Sequence, residues 1–237
     1  MSLTHRKARP LARDKQTFRD DRLIIVACDD TYAPKQYFNF FRIPRVQVHV
    51  VETTDGTSIA QAVLDRLLTY EHEEYDERWL LLDTDHCIQG AHLESFLTAL
   101  REARQKGIKV ALSRPCFELW LLLHRAEETR VGALTDGAAV VTELRRSLGE
   151  YNKTNLLADH FPLAAVAQAC VRAKRLDEKI GGGEIPQGNT TRVYQIWHSI
   201  CKSALASQLP QQLRCLAEGL DAFESSPTGG GSQQNGS

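Results

Sequence analysis

Residues 23–30 read LIIVACDD, a short apolar run that stops at two adjacent aspartates. The run is rich in Ile and Val, which favours a strand buried on both faces over a helix. Residues 77–85, ERWLLLDTD, repeat the pattern and again end in acidic side chains. Two buried strands that both end in acid predict a sheet with carboxylates along one edge.

The segments around these runs continue an alternation of strands and helices. Further strands are predicted at residues 46–51 and 108–113, and helices are predicted within the connecting residues 32–44, 53–70 and 91–107. This rhythm is typical of an α/β fold with a parallel sheet and helices on both faces. Ligands bind such sheets outside the carboxyl ends of the strands, so the two acidic ends are expected to share one crevice.

The rhythm changes to helix upon helix after Ser113. Helices are predicted at residues 137–148, 162–180, 190–203 and 211–223. The chain is therefore divided into a basic flexible arm at 1–21, an α/β core at 22–125, a helical part packed on that core at 126–223, and a low-complexity, disordered tail at 224–237.

Composition indicates a globular protein, since 42% of the 237 residues are apolar and 25% are charged. No stretch reaches the ~18 apolar residues of a membrane helix, and no secretory signal is recognisable, so we expect a cytoplasmic location without membrane association. The six cysteines are scattered without a CxxC pair, which argues against a disulfide framework and a zinc site.

The first 22 residues hold seven Arg or Lys against three Asp. Such an arm can contact the phosphate backbone of a nucleic acid, with release of counterions. A solvated, disordered leader is the equally open alternative.

Asp83 and Asp85 flank Thr84 directly after a predicted strand. Two carboxylates at this spacing suit Mg²⁺ or Mn²⁺, with water and a substrate phosphate completing the shell. Acidic turn residues also cap helices, so the pair alone is not specific. Asp29, on the same edge of the sheet, is a further candidate for metal binding.

Residues 113–124, SRPCFELWLLLH, place Glu118 and His124 among large apolar side chains. Glu118 is either an active-site acid beside the acidic edge or a buried acid held by a basic partner, whereas His124 is interpreted as a core residue. Lys153 and Arg114 are candidate phosphate-binding residues, because cations near the acidic edge of the sheet would offset the negative charge that develops on a phosphate. Surface solvation is the alternative for both cations.

The SRPCFELWLLLH block resembles the signature of the RloB family, proteins found beside restriction and abortive-infection genes. The basic arm, the acid after the first strand, YF at 37–38, the DTD triplet, YNK at 151–153 and NTT at 189–191 match in the same order. The resemblance covers about residues 5–205.

The resemblance implies a Toprim-like core and a metal-dependent nuclease that acts on DNA or RNA in antiviral defence, often with an AAA- or ABC-type ATPase partner. By position, Asp29 is then the general acid/base, and Asp83 and Asp85 hold Mg²⁺. The family pattern has a longer Glu in place of Asp29 and a glycine in place of Asp30. Asp reaches roughly 1.5 Å less far than Glu, and proton transfer is slowed by a displacement of this size.

Three functions remain open on the sequence: the metal-dependent nuclease, a catalytically impaired nucleic-acid-binding or regulatory subunit, and a phosphotransfer or nucleotide-processing enzyme. The loop GGGEIPQGN at 181–189 lacks the Lys and Ser/Thr of a P-loop, which argues against ATP hydrolysis by this chain.

Overall fold

A five-stranded sheet lies at the centre of the part of the chain that the computed structural model describes, which is residues 21–30, 32–53, 56–85 and 92–218. The strands are β1 (Arg22–Cys28), β2 (Val46–Val51), β3 (Glu77–Asp83), β4 (Lys109–Arg114) and β5 (Thr190–Thr191). Their order is β2-β1-β3-β4-β5, with the first four parallel and β5 antiparallel to β4. The predicted α/β fold with a parallel sheet is confirmed.

Helices connect the parallel strands and then form the C-terminal part. The connecting helices are α1 (Ala33–Asn39), α2 (Ala60–Thr69) and α3 (His92–Gln105). The helices after β4 are α4 (Glu118–Leu122), α5 (Glu128–Gly132), α6 (Gly137–Leu148), α7 (Leu163–Lys179), α8 (Val193–Ser203) and α9 (Arg214–Glu218). The helical C-terminal part predicted from the sequence is therefore present.

The two faces of the sheet bury separate sets of side chains. Alternate residues of β1 point to opposite faces, as the pleat of a strand requires. Ile24, Val26 and Cys28 belong to the core shared with α1, α4, α6, α7 and α8. Leu23, Ile25 and Ala27 belong to the core beneath α2 and α3. The near-continuous apolar run of β1 thus reflects burial on both sides.

The start of the predicted helix at 190–203 is wrong, because Thr190 and Thr191 form β5 instead. Thr191 pairs with Ser113 of β4, and their hydroxyl oxygens lie 2.9 Å apart. The Arg192 N–H also donates to the Leu112 carbonyl at 2.9 Å. Because these residues form hydrogen bonds with β4 instead of the bonds of a helix, α8 begins only at Val193.

Several predictions concern residues outside the described ranges. These are residues 1–20 of the basic arm, residues 219–223 of the last predicted helix, the whole tail at 224–237, and Cys87. Among the described residues, five cysteines are free thiols, and four of them are buried. No described helix combines the length and the hydropathy needed to cross a membrane.

Candidate active site

The carboxyl ends of β1 and β3 open into a groove of about 900 Å³, here called the acidic groove. Among the described residues, six carboxylates line it, those of Asp29, Asp30, Asp83, Asp85, Glu118 and Asp136. Among its described lining residues, Lys153 is the only Lys or Arg. The structure therefore brings together every acidic site residue predicted from the sequence, and it adds Asp136 from the start of α6.

Asp29 joins the end of β1 to the end of β3. Its Oδ1 accepts a hydrogen bond from the Asp30 N–H at 3.0 Å, and its Oδ2 accepts one from the Asp83 N–H at 2.9 Å. Burial raises the pKa of Asp29 to about 7, although these backbone hydrogen bonds act in the opposite direction. A carboxyl group with this pKa exchanges a proton near neutral pH, as a general acid or base must.

Asp83 lies close enough to Asp29, Glu118 and Asp85 for their charges to act on its carboxyl group. Burial raises the pKa of its carboxyl group, and the charges of Asp29 and Glu118 add to the increase. A hydrogen bond from the Phe117 backbone opposes it only in part. The ionised form of Asp83 is therefore costly unless a cation compensates its charge.

The backbone of the DTD triplet is fixed to the end of β4. The Thr84 N–H donates to the Ser113 carbonyl at 3.0 Å and to the Pro115 carbonyl at 3.2 Å. The Asp85 N–H also donates to the Pro115 carbonyl at 3.2 Å. Asp83 and Asp85 thus project from a turn that hydrogen bonds hold on one side.

Glu118 reaches the acidic groove from the start of α4 and is only 7% exposed. Its Oε1 accepts a hydrogen bond from the Tyr151 hydroxyl at 2.8 Å. Burial, together with the Glu118 charge, raises the pKa of Tyr151 well above its usual range, so the phenol remains a donor. The partner of Glu118 is therefore a tyrosine, and the sequence offered no spacing that would have identified it.

Lys153 lines the acidic groove and lies on the loop after α6. Its Nζ lies 3.9 Å from Asp30 Oδ1, and its side chain is 53% exposed. The Gln36 side chain holds this loop, since Nε2 donates to the Lys153 carbonyl and Oε1 accepts from the Leu156 N–H, both at 2.8 Å. Gln36 was not singled out from the sequence, because its partners are far away along the chain.

Arg114 is the one predicted phosphate contact that does not line the acidic groove. Its guanidinium donates to the carbonyl of Pro186, in the loop that precedes β5. Neighbouring residues of a strand point to opposite faces, so a position at a strand end does not fix the direction of the side chain. The structure places Arg114 against this loop.

His124 is part of a buried hydrogen-bond network, as its interpretation as a core residue requires. His124 Nδ1 lies 3.0 Å from the Trp120 carbonyl, which can only accept, so Nδ1 carries the proton. Nε2 therefore accepts from the Tyr37 hydroxyl at 3.0 Å, and the Tyr37 oxygen accepts from Trp197 Nε1 at 3.2 Å. Burial lowers the pKa of His124 to about 4, which keeps the ring neutral.

The donor set of the acidic groove bears on which metal could bind. Among the described residues, no three His, Cys, Asp or Glu side chains are arranged to hold one ion. Mg²⁺ is commonly bound by one or two carboxylates, with waters and substrate phosphates supplying the remaining ligands. Asp83 and Asp85 would supply two such carboxylates, whereas both Asp29 oxygens already accept backbone hydrogen bonds.

Comparison with known proteins identifies the family. The family model for RloB-like proteins matches residues 24–200, which contain all six groove carboxylates and Lys153. No curated protein and no solved structure matches the chain. Because the matched region spans well over half of the sequence, this chain belongs to the RloB-like family.

Proposed function

We propose that this RloB-like protein is a nuclease that hydrolyses phosphodiester bonds in DNA or RNA with Mg²⁺ or Mn²⁺ at Asp83 and Asp85. The composition of the acidic groove carries the proposal, since its described lining residues include six carboxylates and one lysine. Such a groove repels a polyanion unless cations neutralise it. A divalent ion would supply that neutralisation and polarise the phosphoryl group.

The side chains of the groove divide the remaining tasks. Asp29, with a pKa of about 7, takes up or delivers a proton at the reacting centre. Lys153 offers an ammonium group to a phosphate, from a loop that Gln36 holds in place. Glu118, fixed by the Tyr151 hydroxyl, is a second acid that can orient water or the substrate.

We also propose a Toprim-like identity for the core and a role in antiphage defence beside an AAA- or ABC-type ATPase. Membership of the RloB-like family supports this role. The sequence carries no P-loop of its own, so ATP hydrolysis would fall to the partner. Co-purification with the product of a neighbouring ATPase gene tests the association.

A catalytically impaired nucleic-acid-binding or regulatory subunit is the second candidate. The observation in its favour is Asp29, which is shorter than the Glu of the family pattern and accepts backbone hydrogen bonds through both oxygens. On this alternative, binding of nucleic acid survives Asp29→Ala. Metal-dependent turnover by the wild type that Asp29→Ala abolishes would exclude it.

Incubation of the purified protein with DNA or tRNA and Mn²⁺ tests the nuclease directly. We expect cleavage by the wild type and none by Asp83→Ala. Asp159→Ala is a matched control, since Asp159 is exposed and does not line the groove. Equal cleavage by the wild type and Asp83→Ala would refute the proposal.

A further inference from the structure

An exposed aromatic side chain stands beside the acids of the groove. Tyr32 lines the acidic groove and is 52% exposed. Its ring stacks on no other aromatic ring in the part of the chain that the structure describes. The backbone of Tyr32 is nevertheless held, because its N–H donates to Asp30 Oδ1 at 2.9 Å. An open ring on a fixed backbone is a surface on which another planar group can stack.

The side-chain amide of Gln36 joins Tyr32 to Lys153. Gln36 Nε2 donates to the Tyr32 carbonyl at 3.1 Å and to the Lys153 carbonyl at 2.8 Å. Gln36 Oε1 accepts from the Leu156 N–H, so both ends of the amide are engaged. One side chain thus ties an aromatic residue and a cationic residue together, and the ammonium group of the latter lies 3.9 Å from Asp30 Oδ1. We call Tyr32, Gln36 and Lys153 the groove rim.

The chemistry of the groove rim matches one nucleotide. Every base has a flat face that can stack on an aromatic ring, and such stacking strengthens binding by about ten- to a hundredfold per base. An ammonium group attracts the phosphate that follows the base. The groove of about 900 Å³ lies within the range of roughly 300–1,000 Å³ that small-molecule pockets occupy.

We propose that the groove rim holds one unpaired nucleotide, with its base on the Tyr32 ring and its phosphate at Lys153. A base within a continuous duplex is covered on both faces by its neighbours, so it cannot stack on the ring unless it leaves the helix. The substrate class is therefore single-stranded DNA or RNA, or an unpaired loop. This inference rests on the proposed function and specifies the substrate of the same groove.

Fluorescence anisotropy with labelled 12-nucleotide DNA, RNA and duplex probes, in buffer containing Ca²⁺, tests the proposal. We expect the wild type to bind single strands at least about tenfold more tightly than duplexes, and Tyr32→Ala to lose about tenfold in single-strand affinity. Tyr32→Phe should retain the affinity because it keeps the ring. Lys153→Gln should remove about one phosphate contact, so the slope of log affinity against log salt concentration should become shallower by about one. Comparison of the DNA and RNA probes shows which sugar the site prefers.

Tyr75→Ala is the matched control, because Tyr75 is 37% exposed and lies in a turn outside the acidic groove. Circular dichroism of each variant verifies folding. The inference would be overturned if Tyr32→Ala bound single strands as tightly as the wild type, or if the wild type bound duplexes and single strands equally well. Either result is distinguishable from failure of the nuclease, because Mn²⁺-dependent cleavage that is lost in Asp83→Ala would still support the nuclease. Single-strand binding that depends on Tyr32, without any Mn²⁺-dependent cleavage, would refute the nuclease and leave the nucleotide site.

Discussion

Replacing Asp29 with asparagine should stabilise the metal-free protein at alkaline pH and destabilise it at acidic pH. Burial raises the pKa of Asp29 from 3.8 to about 7 in the folded state. Between these values the unfolded chain has released a proton that the folded protein still binds. The contribution of Asp29 to stability is therefore fully present below pH 3.8 and is lost as the pH rises through about 7.

The size of the effect follows from the same values. The increase of the Asp29 pKa from 3.8 to about 7 lowers the free energy of unfolding by about 4 kcal/mol at pH 8. This figure is an upper bound, because the Asp29 side chain remains partly accessible to solvent. Asparagine cannot ionise, so it avoids this cost, but its amide nitrogen cannot accept one of the two backbone hydrogen bonds. That loss costs about 1–3 kcal/mol at every pH. The variant should be about 2 kcal/mol more stable at pH 8. At pH 4.5 the wild type has already lost about 1 kcal/mol of the Asp29 contribution, so the variant should be only about 1 kcal/mol less stable there.

Thermal unfolding followed by circular dichroism in EDTA, between pH 4.5 and 8.5, measures this difference. For a chain of this size, about 2 kcal/mol raises Tm by about 4–8 °C at pH 8, and about 1 kcal/mol lowers it by about 2–4 °C at pH 4.5. The Tm curves of the wild type and Asp29→Asn should cross, whereas those of the wild type and the exposed Asp159→Asn should not. Curves for Asp29→Asn that stay parallel to the wild type at every pH would refute the reasoning.

Two further substitutions test the core and the groove. Tyr37→Phe leaves His124 Nε2 and Trp197 Nε1 without their buried partner, and it should cost about 2–4 kcal/mol in urea unfolding; an unchanged unfolding midpoint would contradict the network. Gly137→Val places a side chain where a Cβ lies 3.5 Å from Asp85 Oδ2, and it should slow Mn²⁺-dependent cleavage roughly tenfold with little change in Tm; a wild-type rate would show that this space is not used.

The elements with strong local signals could be predicted from the sequence. The prediction of a helix at 137–148 agrees with α6, and the structure shows why. The Asp136 side chain caps its first turn by accepting from the Ala139 N–H at 2.8 Å, and Gly149 follows its end with a φ of 81°. Buried strands such as β1 were also recognisable, since their apolar runs are continuous.

The fifth strand could not be predicted in the same way. Two residues are too few to show a period of two, and the partner of Thr191 in β4, Ser113, is 78 positions away. Pairing of this kind depends on tertiary structure, which local propensity does not record. The sequence therefore predicts these two threonines as the start of the helix that follows them.

The acids of the site were predictable because parallel strands deliver their carboxyl ends to one edge. The side chains that hold the site were not. Tyr151 donates to Glu118 across 33 positions, and Gln36 donates to the Lys153 carbonyl across 117 positions. Neither contact follows from a sequence spacing, since each requires loops whose approach only the folded chain defines.

Calorimetric titration of Mn²⁺ into the purified protein at pH 8 tests most directly whether the acidic groove holds a divalent cation. We expect the wild type and the exposed Asp159→Asn to bind about one ion per chain, through Asp83 and Asp85. Asp83→Asn should lose most of this binding, because it removes one of the two carboxylates. Equal Mn²⁺ affinity in the wild type and Asp83→Asn would contradict a metal site at the end of β3.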